Sequence, residues 1–497
     1  MIIGGGPAGT STAIALASSG AQVTLVDRAR FPRTRIGESL PPKIEPLLAA
    51  LGVTKQVEQA QFARMRGTTI VQGASIETHE FDPTGGALGY QVERERFDAL
   101  LLDRAREMGV EVREETAFTR LERDSEKVTG VSLRSAAGEN SVLAAKMVVD
   151  ASGVSAIVSR ALGSKRREAI RTVALCGYWK DTAIPADIPA SNTLFETFAD
   201  GWLWSVRRAD GLRNVTLAFD TSSLRGVDTT AYYLERARNS ALIAPLLKNA
   251  SLAGEVAAHD ATWFDSEKVC GDGWILVGDA ASFIDPLTSQ GVFKAIQSGL
   301  AAAAVIRTIM QRPEDTELAR RYYQESQEEF HANYVDVALA FYRESPFAEE
   351  PFWKARTSVT RRARARNILD DISQDDRRDR RNAFVSTVGT AGGKALEVTR
   401  DPRLELARAA VIERGLVIEK PRFALEGRVL PTAPATSAIL PDALWPLLDG
   451  RPLESVFESY AGVTQTPVSS DLGRGLMNSL TQLVELGLVH WRVRGAS

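Results

Sequence analysis

Histidine and cysteine are scarce in this 497-residue chain, with four of the first and two of the second. His79, His259, His331 and His490 are scattered, and Cys176 and Cys270 have no partner at ligand spacing, so no metal site is expected. Two cysteines also give no disulfide framework and fit a reducing compartment. Sixty Lys and Arg against 63 Asp and Glu leave a net charge of −3, which supplies no electrostatic footprint for nucleic acid. The longest apolar run, Gly299 to Ile306, falls short of the ~20 residues a membrane span needs. The apolar start has no leader-like charge pattern and runs straight into glycines. No membrane partner is therefore expected, and the expected location is cytoplasmic. What remains is ordinary for a globular enzyme: 44% hydrophobic and 25% charged residues, in a chain too long for one core.

The most informative stretch is the first. Ile2-Ile3 leads into Gly4-x-Gly6-x-x-Gly9, with Pro7 and Ala8 inside the motif and Ala13 following at helix-packing spacing. Gly4 permits a sharp turn, Gly6 lets backbone approach a pyrophosphate, and Gly9 lets helix and strand pack closely. A helix over residues 10–19 ends at Gly20, and Val23 to Asp27 reads as the second strand. Asp27 stands about 20 residues on, where an acid bonds ribose hydroxyls, with Arg28 beside it. This is a dinucleotide-binding unit of α/β class.

Further motifs follow. Phe31-Pro-Arg33-Thr-Arg-Ile36-Gly-Glu38-Ser39-Leu-Pro-Pro42 is an extended segment before a helix over 43–51 that Gly52 ends. Phe62-Ala-Arg-Met65-Arg-Gly67 precedes Thr68-Thr-Ile-Val, and Gly89 to Asp98 opens a helix containing Arg94. Residues 110–112, 117–120, 128–133 and 146–150 are strand-like runs, read as a small antiparallel meander that returns to the parallel sheet. Gly201-Trp202-Leu-Trp204-Ser-Val206-Arg207 lies in a region of alternating polarity, 169–267, that suits an antiparallel sheet. An apolar strand, Trp274 to Val277, then meets Gly278-Asp279 and the loop Pro286-Leu-Thr288-Ser289-Gln290-Gly291-Val292.

Together these motifs resemble the flavin-dependent halogenases, relatives of the FAD aromatic hydroxylases, over about the first three-quarters of the chain. The resemblance implies FAD as cofactor and FAD contacts for Arg33, Ile36, Glu38, Ser39, Arg94 and Asp279, with Pro286, Gly291 and Val292 at the flavin end. It places Thr288, Ser289 and Gln290 beside substrate, in the loop where halogenases hold chloride; tryptophan halogenases carry a glutamate where Thr288 stands. It also implies a halogenating lysine at the position of Met65, where a thioether cannot form a chloramine. The family's Trp-x-Trp-x-Ile-Pro survives only as Trp202 and Trp204, since Val206-Arg207 replaces Ile-Pro. These tryptophans are substrate-pocket candidates, with strand packing as the competing role.

Ser152-Gly153 stands where single-component hydroxylases carry Asp-Gly, and no second GxGxxG exists for a nicotinamide. The reductant, NAD(P)H, is therefore expected to act through a separate flavin reductase.

The resemblance implies an FAD-dependent monooxygenase that hydroxylates an electron-rich aromatic ring through a flavin C4a-hydroperoxide. No general base is assigned. Of its members, the flavoproteins of tryptophylquinone maturation fit best, which points to a peptide-borne tryptophan. The alternatives are a halogenase of an indole, pyrrole or phenol and a small-molecule aromatic hydroxylase.

The expected architecture is an FAD-binding Rossmann-like domain over 1–168 and 268–310, with a small substrate-side segment near 61–90. An antiparallel substrate domain is inserted over 169–267, a helical region follows over 311–400, and a winged-helix-like module fills 401–497. In that module Leu453, Val456, Phe457 and Tyr460 share a helix face and Ser469 or Ser470 caps the next helix. Its last segments are similar to PqqD-like domains, which hold precursor peptides. The charge runs at 361–366 and 375–381 read as solvated faces or connectors.

Overall fold

The computed structural model describes residues 1–73, 75–82, 86–167, 170–183, 188–224, 226–357, 374–392, 395–425, 428–430, 439–466 and 469–494. The chain divides into two compact units, one of Met1–Arg361 with Arg414–Leu416, the other of Arg362–Glu413 with Val417–Ser497.

The first unit is built on a six-stranded sheet. Its order is Cys270–Gly271, Trp274–Leu276, Val148–Asp150, Ile2–Ile3, Thr24–Val26, Glu111–Arg113. All but the first of these run parallel, as βαβ crossovers require. Ile2 and Ile3 are buried on both faces, so two residues suffice for the central strand. The expected meander exists as Thr116–Asp124, Lys127–Ser135 and Asn140–Ala144, but the run at 110–112 does not belong to it. Glu111–Arg113 instead forms the edge of the parallel sheet, paired with Thr24–Val26.

A second, eight-stranded sheet contains Thr172–Lys180, Arg213–Asp220, Gly201–Arg207 and Thr193–Phe198 in antiparallel order. Gly67–Gln72 extends it, parallel to Thr193–Phe198, and pairs in turn with Ser75–Glu80. Within the 61–90 segment, residues 67–72 and 75–80 therefore join the substrate sheet, while Ala63–Met65 and Gly89–Gln91 form a separate three-stranded sheet with Ser39–Leu40. Helices Thr229–Asn239 and Ala244–Leu247 interrupt the region read as sheet. They pack Tyr233, Ala237, Leu246 and Leu247 into its core beside Trp179 and Val215. The proposed boundary at 168–169 lies outside the described residues.

The helix Gly291–Gln311 corrects one inference. Its 21 residues are long and apolar enough, by length and composition, to cross a membrane, although its longest apolar run is short. Two-thirds of that apolar window is buried inside the unit (67%). Gly299 shows how: a Cβ there would lie 2.2 Å from Ser11 Oγ and 2.7 Å from the Ala8 carbonyl, so this helix rests directly on helix Pro7–Ala17.

The second unit has a three-stranded sheet, Asp449–Pro452, Leu396–Arg400 and Val489–Val493. Helices Pro441–Leu444, Leu453–Thr464 and Ser470–Glu485 pack on a core that includes Leu396, Val456, Tyr460, Leu480 and Val489. Ser469 caps the last helix through Leu472 N–H. The central strand of this sheet ends at Arg400, so a boundary at 400–401 cuts the module; residues 396–400 belong to it and not to a helical region. A long hairpin, Leu404–Glu413 and Leu416–Leu425, also falls in this stretch. The 361–366 charge run lies outside the described residues, and residues 374–391 form a helix.

Candidate active site

Strand Ile2–Ile3 delivers the chain to Gly4, whose φ of +113° and a would-be Cβ 2.3 Å from the Ala151 carbonyl admit only glycine. A Cβ on Gly9 would sit 1.9 Å from the Gly4 carbonyl, which fixes how closely helix Pro7–Ala17 lies on its strand. Gly6 is the N-cap, extended and without a side-chain cap, and Pro7 opens the helix with Ala8 buried behind it. The helix start thus keeps unclaimed N–H groups and its positive dipole end.

Around this end, Asp27 is 8% exposed and accepts from Gly5 N–H and Ala29 N–H, both at 2.8 Å. Each oxygen retains a lone pair for a hydroxyl. Arg33 stacks over Phe31, donates to Asp98 at 3.2 Å, and has its Nη2 3.4 Å from where a Cβ on Gly6 would stand. Its Nε is buried without a hydrogen bond. Arg33 Nε, without a hydrogen bond though 3.9 Å from Asp27 Oδ2, and the uncapped helix start leave donors that a pyrophosphate would satisfy, so the residues present fit a dinucleotide. Arg28 is exposed at the surface.

Three expected cofactor residues have side-chain partners within the protein. Arg94 grips Asp98 through Nε and Nη2 at 2.9 and 3.0 Å, and donates to the Ile36 carbonyl at 2.7 Å. It ties the 36–37 backbone to its own helix, a positioning role. The Glu38 carboxylate, 1% exposed, accepts from Tyr178 OH at 2.7 Å and Asn214 Nδ2 at 2.9 Å, pinning the segment to the large sheet. Ser39 Oγ lies 3.1 Å from Thr193 Oγ1 and faces the cavity described below. Burial pushes the Cys176 thiol, beside Asn214, up to about 12 and that of Cys270 to about 11, so neither offers a thiolate.

The second motif packs onto the first. Gly278, at φ +57°, would clash through a Cβ with Ala8 Cβ at 2.8 Å, so strand Trp274–Leu276 brings Asp279 beside the fingerprint helix. Asp279 is 29% exposed and accepts from Lys294 Nζ at 3.0 Å. Lys294, 1% exposed, also donates to the Ser282 carbonyl, and burial lowers its pKa against the pull of Asp279. Sequence reasoning missed this lysine; its spacing from Asp279 carries no motif. Asp285 caps the turn Pro286–Thr288 and accepts from Tyr342 OH at 2.6 Å and Trp263 Nε1 at 2.9 Å. The turn ends at Ser289 (φ +51°) and feeds helix Gly291–Gln311, which has no side-chain cap and buries Val292.

Between this turn and the large sheet lies a cavity of about 120 Å³. Phe81, Phe195, Trp204, Pro41, Pro286 and Leu287 give its apolar walls. Ser39, Thr68, Thr193, Ser289 and Gln290 add polar atoms, and Met65 completes it. Its size is near the ~150 Å³ of an engineered cavity that takes benzene. None of its lining side chains ionises. Met65 is 2% exposed, and its Sδ accepts from Thr193 Oγ1 at 3.0 Å. The two tryptophans part company here: Trp204 lines the cavity, while Trp202 is fully buried between Trp204 (5.6 Å) and Phe195 (5.3 Å). Trp202 is therefore core and not pocket wall. Thr288's side chain lies outside the described residues. Among the described residues no group of three or more His, Cys, Asp or Glu could hold a metal.

Known proteins match this arrangement. The FAD binding domain family matches residues 1–336. A tryptophan 2-halogenase of Chondromyces crocatus is 31% identical over 364 residues, covering 72% of this chain and 70% of that one. The chain belongs to the flavin-dependent halogenase family. The flavin-dependent halogenase CmlS superposes over 100% of this chain and 96% of its own, with a TM-score of 0.76 and 25% identity. The peptidyl tryptophan dihydroxylase QhpG covers 98% of both chains, with a TM-score of 0.67 and 27% identity.

Family membership makes the chain an FAD-dependent oxidoreductase. Gly6, Ala8 and Gly9 would hold the pyrophosphate of FAD and Asp27 its ribose. Asp279, backed by Lys294, and the start of helix Gly291–Gln311 would take the flavin end. For the activity itself, these relatives support the halogenase alternative better than the hydroxylase reading.

Proposed function

We propose that this family member transfers oxygen, not halogen, to an electron-rich aromatic ring. The observation that carries the reading is Met65. It lies in the cavity beside the Pro286–Gln290 loop, in the position that the family motif gives to lysine, and no ionisable side chain joins it there. A thioether has no N–H to donate to hypohalous acid and no amine to halogenate, and the neighbouring Arg64 and Arg66 are absent from the cavity lining and pair with Glu45 and Glu80.

FAD, when bound and reduced, supplies the activated oxygen. The chain's residues do the rest. Phe195 and Trp204 offer aromatic wall against which a ring can pack, and Ser39, Thr193 and Gln290 offer hydrogen bonds to a ring N–H or O–H. The apolar walls exclude water, which would otherwise intercept the oxidant. No base is needed in the cavity, since an electron-rich ring is itself the nucleophile.

For the substrate class, the likeness to QhpG over nearly the whole length of both chains, the C-terminal module included, supports a tryptophan carried by a peptide. Electrons would come from NAD(P)H by way of a separate flavin reductase.

Halogenation is the second reading, favoured by the named function of the 31%-identical relative. The test gives purified protein FAD, a flavin reductase with NADH, O2 and bromide, and offers indoles, phenols and tryptophan-containing peptides. Mass gains of one or two oxygen atoms support the proposal. A bromine isotope pattern in any product overturns it.

A further inference from the structure

We infer that Met65 is itself an oxygen-acceptor site, converted to its sulfoxide when reduced FAD turns over with no ring in the cavity. The inference rests on oxygen activation at FAD, proposed above, and assigns the fate of that oxygen in empty turnover.

Three observations carry it. First, Met65 shares the cavity with Pro286, Ser289 and Gln290, from the loop that feeds the flavin-end helix, so the thioether stands where the oxidant is delivered. Second, hydroxyl, amide and hydrocarbon groups make up the other walls, and Trp204 is the one further oxidisable side chain among them. A thioether gives up a lone pair to peroxidic oxygen more readily than an indole ring breaks its aromaticity. Third, Thr193 Oγ1 already donates to Met65 Sδ at 3.0 Å, backed by Ser39 Oγ at 3.1 Å. The same hydroxyl can donate to a sulfoxide oxygen, so the product is accommodated without a new unpaired polar group.

The step balances. Reduced FAD supplies two electrons and the sulfur lone pair two more. One atom of O2 forms the S–O bond, the other leaves as water with two protons, and FAD returns to its oxidised form.

Exposure provides the internal control. Met65 is 2% exposed and faces bulk peroxide only through the cavity, whereas Met310 is 40% exposed and reports that peroxide directly. The experiment takes FAD-loaded full-length protein, reduces it, admits ¹⁸O2 with catalase present, and maps oxygen label by peptide mass spectrometry. Expected is ¹⁸O at Met65 about tenfold or more above Met310, absent when oxidised holoprotein is kept under ¹⁸O2. In Met65→Leu, run without catalase, the O2 that is consumed should be recovered as hydrogen peroxide, with no label moved to another residue. Label at Trp204 in place of Met65, or equal label at Met65 and Met310, overturns the inference. So does O2 consumption at bound flavin with Met65 unlabelled, which leaves the proposed oxygen transfer standing. Failure of bound reduced flavin to consume O2 overturns both.

Discussion

The fingerprint end and the cavity end of the first unit are built by opposite means. At the fingerprint, backbone N–H groups would do most of the binding, helped by Asp27 and Arg33, and at Gly4 and Gly9 what matters is the absence of a side chain: a Cβ there would come within 2.3 and 1.9 Å of a carbonyl. At the cavity, backbone only delivers. Met65, Thr193, Trp204 and Gln290 come from four separate segments, and their chemistry depends on what each side chain is. A site written in backbone tolerates few substitutions and carries one function. A site written in side chains can change its reaction while the fold stays in place.

The sharpest way to break this comparison is Gly9→Val. The branched side chain must push helix Pro7–Ala17 off Gly4 and Ala151, and the N–H groups of the helix start move with it. FAD affinity should fall by about 100-fold or more, on the order of 3 kcal/mol, read from flavin retained after gel filtration and from fluorescence quenching. Full flavin occupancy in this variant would show that the backbone end is not the anchor.

The tryptophan pair divides the cavity side within itself. Trp202→Ala removes a wholly buried ring from the Phe195–Trp202–Trp204 stack and should cost about 3–5 kcal/mol in urea unfolding. Trp204→Ala, at the cavity wall, should cost about 0.5–1.5 kcal/mol, and its larger effect should be on which aromatic substrate is oxidised. Equal destabilisation by the two would erase the distinction between core and wall.

Lys294 and Asp279 test the flavin end. Asp279→Asn strands a buried ammonium and should cost about 3–5 kcal/mol. Lys294→Met should cost less, because the Asp279 it leaves behind is 29% exposed and can be solvated. The pH dependence has a definite sign. Burial lowers the folded pKa of Lys294 below its unfolded value, so between the two the unfolded chain holds more protons and stability rises with pH. Below the folded value the two states are equally protonated and the penalty is constant. Asp279→Asn removes the opposing pull and should widen that window downward. Urea midpoints between neutral and alkaline pH, compared with Lys294→Met, check both statements.

Much of the backbone end was legible because its rules are local. Gly4, Gly6 and Gly9 are fixed by one turn, and Asp279 follows a buried strand directly. Met65 was singled out through register alone, set by Gly67 and Gly73. The rest depended on distant partners. For Glu38 and Arg94, the partners Tyr178, Asn214 and Asp98 that hold their side chains could not be read from the motif. Thr193 and Phe195 reach the cavity from a strand with no motif, placed there by parallel pairing with Gly67–Gln72. The strand Leu396–Arg400 was hidden because both of its neighbours lie far along the chain, at 449–452 and 489–493.

Met65→Leu carries the smallest expected change in stability. Leucine nearly conserves volume, and Gly89 leaves space at the thioether methyl, where a Cβ would come within 3.0 Å of Met65 Cε. Thr193 Oγ1 loses an acceptor in sulfur but keeps Ser39 Oγ. The cost should stay below about 1.5 kcal/mol, with FAD affinity unchanged within about twofold, since no fingerprint contact is touched. Urea unfolding and a flavin titration measure both. A larger loss of FAD affinity would mean that Met65 supports the cofactor itself, and the separation between a backbone-written end and a side-chain-written end would fail at the residue on which the proposed chemistry turns.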